Sequence, residues 1–104
     1  MARAALFLLV LGCRPVPDTG GEFFAVRAEV FCERLGECDA TLFGVAYASQ
    51  DDCVSAKRAE QDRQNEACSY DRSYADDCLD ELEALPCDRI LAGLECSQPV
   101  LSCP

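Results

Sequence analysis

The clearest hydrophobic pattern in the chain spans residues 22–38. Apolar residues recur there at spacings of three and four, as one face of an amphipathic helix requires. That face comprises Phe24, Ala28, Phe31, Leu35 and Cys38, and it is widened by Phe23, Val26 and Val30. The opposite side carries Glu22, Glu29, Glu33 and Glu37. The pattern predicts a first helix, Glu22–Cys38, that buries one face.

Residues 39–48 separate this helix from the next and contain Leu42, Phe43, Val45 and Tyr47. Four large apolar side chains in so short a segment favour burial. We therefore expect a connection that folds back over the core.

A second helix is predicted from Ser49, where Ser49-Gln50-Asp51-Asp52 has a capping-box pattern, to about Glu66. Val54 is its only large apolar residue. Its other inward-facing candidates are alanines: Ala56, Ala59 and Ala67. Because such a helix buries little, we expect Cys53 and Cys68 at its two ends to hold it in place.

A third helix is predicted to begin at Ser73 as the N-cap and to end at Pro86. Asp76 and Asp77 favour the positive end of its dipole. Its apolar face would consist of Ala75, Cys78, Leu79, Leu82 and Leu85.

Beyond Pro86, a short helical turn at 88–92 ended by Gly93 is expected, followed by an irregular segment to Pro104. The fold class predicted from these patterns is all-α. It is a small disulfide-stapled bundle of about three helices with an irregular C-terminal tail.

The composition supports covalent stapling. The 104-residue chain contains nine cysteines, and a domain of this size builds only a small core. Stable disulfides indicate an oxidising compartment rather than the cytosol. The net charge of −10 disfavours nucleic acid and favours cationic or basic partners.

The first residues have the features of an export signal. Arg3 precedes the apolar run Ala4–Leu11, which as a helix would cover only about 12 Å and is too short to cross a bilayer. The run ends in Val10-Leu11-Gly12-Cys13, which resembles a bacterial lipobox, although Leu11 is bulkier than the residue usual at its position. That resemblance implies removal of residues 1–12 and acylation of Cys13 by a diacylglyceryl group and fatty acids such as palmitate.

The number of cysteines also favours acylation of Cys13, because modification of one of the nine leaves an even number for disulfides. The eight expected disulfide cysteines are Cys32, Cys38, Cys53, Cys68, Cys78, Cys87, Cys96 and Cys103. Helical geometry disfavours Cys32–Cys38, Cys53–Cys68 and Cys78–Cys87. Cys38–Cys53, across the connection between the first two helices, is the best single pairing, and the other pairings stay open. The alternative is a cleaved secretory signal with Cys13 as an ordinary cysteine.

The processed chain then divides into two parts. Residues 13–21, with two prolines and a glycine pair, are expected to form a tether, and residues 22–104 the cysteine-rich helical domain. By analogy with the sorting rules of bacterial lipoproteins, Arg14 after the modified cysteine, in place of aspartate, implies the outer membrane rather than the inner membrane.

The sequence lacks the residues that most catalytic and metal-binding sites require. There is no histidine and no C-x-x-C pair, so zinc, haem, redox and triad chemistry are disfavoured. Ser55 and Lys57 lie on a polar helix, where solvent exposure is the simpler interpretation. We expect no catalytic residue, no metal ligand and no cofactor.

Two clusters allow either a functional or a structural interpretation. The acidic run contains Asp76, Asp77, Asp80, Glu81 and Glu83, which we interpret as a solvated helix face rather than as a calcium site or a glycosidase pair. Tyr70 and Tyr74 could form a binding patch, but covering the edge of the core is the preferred interpretation.

The lipobox-like Val10–Cys13 and the context of the cysteines resemble small cysteine-rich lipoproteins of GC-rich bacteria such as the myxobacteria. The matching runs are Cys32-x5-Cys38, Asp-Asp-Cys53, Cys68-Ser-Tyr-Asp, Asp-Asp-Cys78-Leu and Leu-Pro-Cys87-Asp. The resemblance implies export, lipidation and disulfides, and it implies no particular activity.

The function expected from the sequence is therefore a lipid-anchored, non-enzymatic module of the bacterial cell envelope. It would contact the membrane through Cys13 and bind an envelope protein or cell-wall partner of basic character. Two alternatives remain open: a small carboxylate-dependent hydrolase and a secreted inhibitor or toxin-like protein.

Overall fold

The computed structural model describes residues 16–64, 68–97 and 100–102. The protein is mostly helical, which confirms the predicted all-α bundle stapled by disulfides. The helices are α1 (Gly20–Cys38), α2 (Ala40–Ala46), α3 (Gln50–Gln64), α4 (Ala75–Ala84) and α5 (Cys87–Leu91), with a 3₁₀ turn at Arg72–Tyr74. Two short antiparallel strands, β1 (Ser69–Tyr70) and β2 (Leu101–Ser102), pair through Ser69↔Ser102 and Tyr70↔Leu101.

Helix α1 is the central element, against which α2, α3, α4 and α5 pack. It begins at Gly20 rather than at Glu22, because the Thr19 hydroxyl accepts the Glu22 N–H at 3.2 Å and caps the first turn. Its predicted apolar face is confirmed. The buried residues of α1 are Phe23, Phe24, Arg27, Ala28, Phe31, Cys32 and Leu35.

The core consists of two clusters along α1. One lies at the N-terminal end and consists of Phe23, Phe24, Ala75, Cys78, Leu79 and Val100. The other lies at the C-terminal end and consists of Phe31, Leu35, Leu82, Leu85 and Ile90. Helix α4 contributes to both clusters, so the apolar face predicted for the third helix is confirmed.

The expected N-cap of the third helix is wrong. The Ser73 hydroxyl does not cap α4. Instead, the Asp71 carboxylate accepts the Ser73 N–H at 3.0 Å and caps the 3₁₀ turn that leads into α4. Because that turn continues directly into the helix, α4 needs no side-chain cap of its own.

Helix α3 begins as predicted, with the Ser49 hydroxyl accepting the Asp52 N–H at 3.1 Å. Its inward face differs from the prediction. Ala56 and Ala59 are exposed, whereas Cys53 and Gln61 are buried. Ala67 and the predicted end at Glu66 lie outside the described residues.

Three disulfides join described residues: Cys32–Cys53, Cys38–Cys87 and Cys78–Cys96. The expected pairing Cys38–Cys53 is therefore wrong. Helix α2 carries the chain back along α1 before α3 begins, so that the Gln50 side chain donates to the Glu29 carbonyl at 3.2 Å. This displacement brings Cys53 opposite Cys32, and the end of α1 is left to pair with the start of α5.

The remaining cysteines are only partly described. Cys68 is disulfide-bonded as well. Cys13 and Cys103 lie outside the described residues, as does the predicted signal peptide at 1–12.

The short helical turn after Pro86 is confirmed as α5, and it is followed by Gly93 with φ +80°, a conformation that suits glycine. The segment beyond Gly93 was expected to be irregular. Residues 94–97 have no regular structure, but the chain then contributes β2, which the sequence pattern did not predict.

The end of the segment expected to be a tether packs on the domain. Pro17 is buried, Val16 contacts the N-terminal core cluster, and the Tyr70 hydroxyl donates to the Pro17 carbonyl at 2.6 Å. Arg72 also forms an ion pair with Asp18 at 3.3 Å. Residues 16–19 are thus part of the folded domain.

Candidate functional site

Helix α2 carries the least protected apolar surface among the described residues. Leu42 and Val45 are 46 % and 83 % exposed, and Ala46 is exposed beside them. Their spacing of three and four residues places all three side chains on one side of the helix. We call this surface, formed by Leu42, Val45 and Ala46, the α2 face.

The other side of α2 is also apolar. Phe43 and Tyr47 pack against the C-terminal core cluster, with their ring centroids 5.6 Å apart. The Phe43 ring lies over Gly36, where a Cβ would stand 3.8 Å from it. A helix that is apolar on all sides is normally covered on all sides. The α2 face is the side that the described residues leave open.

The expectation that residues 39–48 fold back over the core is therefore wrong for Leu42 and Val45 and correct for Phe43 and Tyr47. The Asp39 carboxylate accepts the Leu42 N–H at 2.9 Å and starts a helix there. Helical periodicity then divides the four apolar side chains between two sides. The sequence signal that could have revealed this surface is the i, i+3, i+4 spacing of Leu42, Val45 and Ala46.

The charged residues nearest to α2 along the sequence are acidic. Residues 40–50 contain no charged side chain, in a chain of which 27 % is charged. Glu37 and Asp39 precede this run, Asp51 and Asp52 follow it, and no lysine or arginine occurs anywhere in 35–56. The α2 face is thus uncharged. Of the acids beside it in sequence, Glu37 is paired with Arg34 at 3.3 Å and Asp39 caps α2, whereas Asp51 and Asp52 are exposed.

The acidic run on α4 remains largely on the surface. Asp76, Asp77 and Asp80 are exposed. The Glu81 carboxylate accepts the Ser97 N–H at 2.9 Å and the Ser97 hydroxyl at 2.8 Å. Glu81 therefore fixes the segment beyond α5 to α4, which is a structural role.

Two shallow depressions occur near charged residues. One, of about 360 Å³, is lined by Val30, Glu33, Arg34, Glu37 and Glu83. The other, of about 410 Å³, is more open and is lined by Val16, Arg72, Ser73 and Asp76. Neither contains Asp77 or Glu81, the carboxylates that the hydrolase alternative requires.

Ser55 and Lys57 do not form a catalytic pair. Ser55 is exposed. The Lys57 ammonium stands 4.5 Å from the centroid of the Phe31 ring and 4.0 Å from Glu60, with its side chain only 19 % exposed. The solvated position expected for Lys57 is therefore wrong, because the side chain lies across the core edge instead.

Tyr70 and Tyr74 have different environments. Tyr70 packs on Phe23, with ring centroids 5.7 Å apart, and burial is the main cause that raises its pKa. It covers the edge of the core, as expected. Tyr74 is 38 % exposed.

One buried polar cluster was not foreseen from the sequence. Arg27 is 8 % exposed, lies over the rings of Phe23 and Phe24, and approaches Glu95 at 3.6 Å. Burial lowers the pKa of Arg27, and the neighbouring Glu95 partly opposes that shift. The Gln61 amide donates to the same Glu95 carboxylate at 2.9 Å. The cluster joins α1, α3 and the segment after α5.

Across the ranges 16–64, 68–97 and 100–102, no group of three or more potential metal ligands is close enough to hold an ion. In the same ranges, no helix is long and apolar enough to cross a bilayer. Comparisons of the chain with protein family models, curated proteins and solved structures found no match.

Proposed function

We propose that this protein is a lipid-anchored, non-enzymatic binding module of the bacterial cell envelope, and that it binds its partner through the α2 face. The observation that carries the proposal is the open apolar side of α2, where Val45 is 83 % exposed. Exposed apolar side chains are ordinary singly, but a continuous helical face marks an interaction surface.

The anchoring part of the proposal is supported by the sequence. The lipobox-like Val10–Cys13 follows an apolar run, and Arg14 favours the outer membrane. Because residues 16–19 pack on the domain, the backbone from Cys13 to Val16 spans at most about 11 Å. An acylated Cys13 would hold the domain directly against the lipid surface.

The rigidity of the domain supports a binding role. Disulfides fix α3, α5 and the segment after α5 to the central helices. A surface that is ordered before binding loses less conformational entropy when the partner arrives. The stapled domain can therefore present a small apolar face effectively.

The two alternatives receive less support. A carboxylate hydrolase needs a cleft beside its acids, yet Asp77 is exposed and Glu81 is engaged by Ser97. A secreted inhibitor requires that Cys13 remain unacylated.

Photo-crosslinking in cells tests the binding role. The crosslinking amino acid p-benzoylphenylalanine replaces Val45 in one strain and the exposed Ser55 of α3 in a matched control strain. We expect one reproducible adduct from position 45 and none from position 55. Absence of any adduct at position 45 would contradict the proposed binding surface.

Intact-mass spectrometry tests the anchor. The purified protein should begin at Cys13 and carry acyl groups, and the Cys13→Ser variant should lose both the added mass and membrane partitioning. A soluble, unacylated protein that begins elsewhere would favour the secreted alternative.

A further inference from the structure

We infer that the partner of the α2 face is a protein segment with an apolar ridge flanked by lysine and arginine side chains. This inference rests on the proposed function, and it adds the chemical character of the partner. It follows from the shape of the apolar surface and from the charges beside it.

The apolar part of the surface determines the centre of the contact. Leu42, Val45 and Ala46 form a narrow strip without any charged neighbour within residues 40–50. Specific interfaces place such apolar groups at their centre and charged groups at their rim. A ridge of apolar side chains, as on an amphipathic helix, can pack along such a strip.

The charged residues next to α2 indicate which groups the partner carries at the edge of the contact. Glu37 and Asp39 lie directly before α2, Asp51 and Asp52 lie in the first turn of α3, and no cation occurs in residues 35–56. Glu37 is paired with Arg34 at 3.3 Å, so the exposed negative charge of this rim comes from the two aspartates of α3. Complementary basic groups would gain attraction at this rim, whereas acidic groups would be repelled.

The same charges argue against two other occupants. Bacterial bilayers present anionic headgroups, which the acidic segments beside α2 would repel. A second copy of the chain would meet the first through the same surface in a two-fold contact, so that acids would oppose acids. With a net charge of −10 per chain, self-association is disfavoured further.

The test uses two synthetic helical peptides and the full chain with its disulfides intact. One peptide has leucine at positions i, i+3, i+4 and i+7 with lysine elsewhere, and the other has glutamate in place of every lysine. Fluorescence anisotropy measures the binding of each labelled peptide. We expect saturable binding of the lysine peptide, weakened by salt, and no binding of the glutamate peptide.

Matched variants separate the α2 face from general attraction between opposite charges. The double variant Leu42→Ser/Val45→Ser keeps every charge, and its affinity for the lysine peptide should fall at least tenfold. Leu94→Ser is the control, since Leu94 is 49 % exposed, close to the 46 % of Leu42, but lies outside α2. Asp51→Asn/Asp52→Asn should weaken binding severalfold and reduce its salt dependence.

Equal binding of the lysine peptide to the parent chain and to Leu42→Ser/Val45→Ser would overturn the inference. Val45-dependent binding to vesicles of phosphatidylethanolamine and phosphatidylglycerol would overturn it in favour of lipid. A Val45-dependent dimer in analytical ultracentrifugation would overturn it in favour of a second copy.

The inference can also fail while the proposed function stands. In that case, the crosslink from position 45 would map to a partner segment without lysine or arginine. If position 45 gives no crosslink in cells, the proposed function itself fails.

Discussion

Helices α3 and α4 both pack against α1, but they are held there by different forces. Helix α4 buries Ala75, Cys78, Leu79 and Leu82 and contributes to both core clusters. Helix α3 buries Cys53 and Gln61 and contributes to neither cluster. Its contacts with the rest of the domain include a disulfide, side-chain hydrogen bonds and a lysine over an aromatic ring.

The difference shows how a small domain can add a helix without enlarging its hydrophobic core. Area-based stabilisation amounts to about 25 cal/mol per Å² of apolar surface, so a helix of polar residues gains little from burial. A covalent link and a few directional contacts replace that stabilisation in α3. The two helices should therefore respond differently to the same kinds of substitution.

The largest effect is expected at the apolar interface of α4. Leu82 is fully buried, so Leu82→Ala should lower the free energy of unfolding by about 2–5 kcal/mol through lost burial and a new cavity. Leu91→Ala is the control, because Leu91 is 41 % exposed and should cost less than about 1 kcal/mol. Urea denaturation without reductant measures both. Equal losses would remove the distinction between buried and exposed leucines.

The next effect concerns the disulfide that holds α3. Replacing Cys32 and Cys53 together by alanine opens a link across 21 residues of sequence and should cost about 3 kcal/mol. Amide hydrogen exchange should accelerate throughout α3 and much less in α4. The Cys38→Ala/Cys87→Ala variant removes a comparable link and should leave the protection of α3 nearly unchanged. If α3 keeps its protection without Cys32–Cys53, its polar contacts suffice to dock it.

The same contrast explains which parts of the fold could be predicted from sequence. Helices α1 and α4 have strong apolar periodicity, and their buried faces follow from spacing alone. The inward face of α3 has no such signal, because Gln61 and Lys57 are polar residues whose burial depends on Glu95 and Phe31. Their partners are distant in sequence, so no local pattern could reveal them.

Disulfide pairing and the α2 face depended on the path of the chain. A simple connection at residues 39–48 would place Cys53 nearest to Cys38, whereas helix α2 shifts α3 along α1 and brings Cys53 to Cys32. The apolar residues of α2 were visible in the sequence. Helical spacing separates Leu42, Val45 and Ala46 from Phe43 and Tyr47, but the packing of α2 against α1 decides which of the two sides faces the core.

A smaller effect is expected from the buried polar cluster. Gln61 is 4 % exposed and donates to Glu95, so Gln61→Ala should cost about 1–3 kcal/mol by leaving buried polar groups with fewer partners. Asp62→Ala is the matched control on the exposed side of α3 and should stay within about 0.5 kcal/mol. Thermal unfolding of both variants measures the two losses of stability. A neutral Gln61→Ala would mean that the hydrogen bond to Glu95 does not help to dock the C-terminal end of α3.

The smallest effect should come from the lysine that crosses the core edge. The Lys57 ammonium lies 4.5 Å from the centroid of the Phe31 ring, and this contact is worth about 0.5–1 kcal/mol when partly shielded from water. Lys57→Gln should lose that amount, while Arg58→Gln, at an exposed neighbouring position, should lose almost nothing.

A double-mutant cycle with Phe31→Leu isolates the contact from other consequences of each substitution. Phe31→Leu alone costs more, because Phe31 is 2 % exposed and belongs to the C-terminal core cluster. The cycle subtracts that cost and leaves the coupling between the ammonium and the ring. A coupling of about 0.5–1 kcal/mol would show that α3 gains stability from the aromatic core without contributing an apolar side chain to it. A coupling of zero would mean that the Lys57 ammonium does not help to dock this helix, and that its other contacts, among them the disulfide and the Gln50–Glu29 and Gln61–Glu95 hydrogen bonds, suffice.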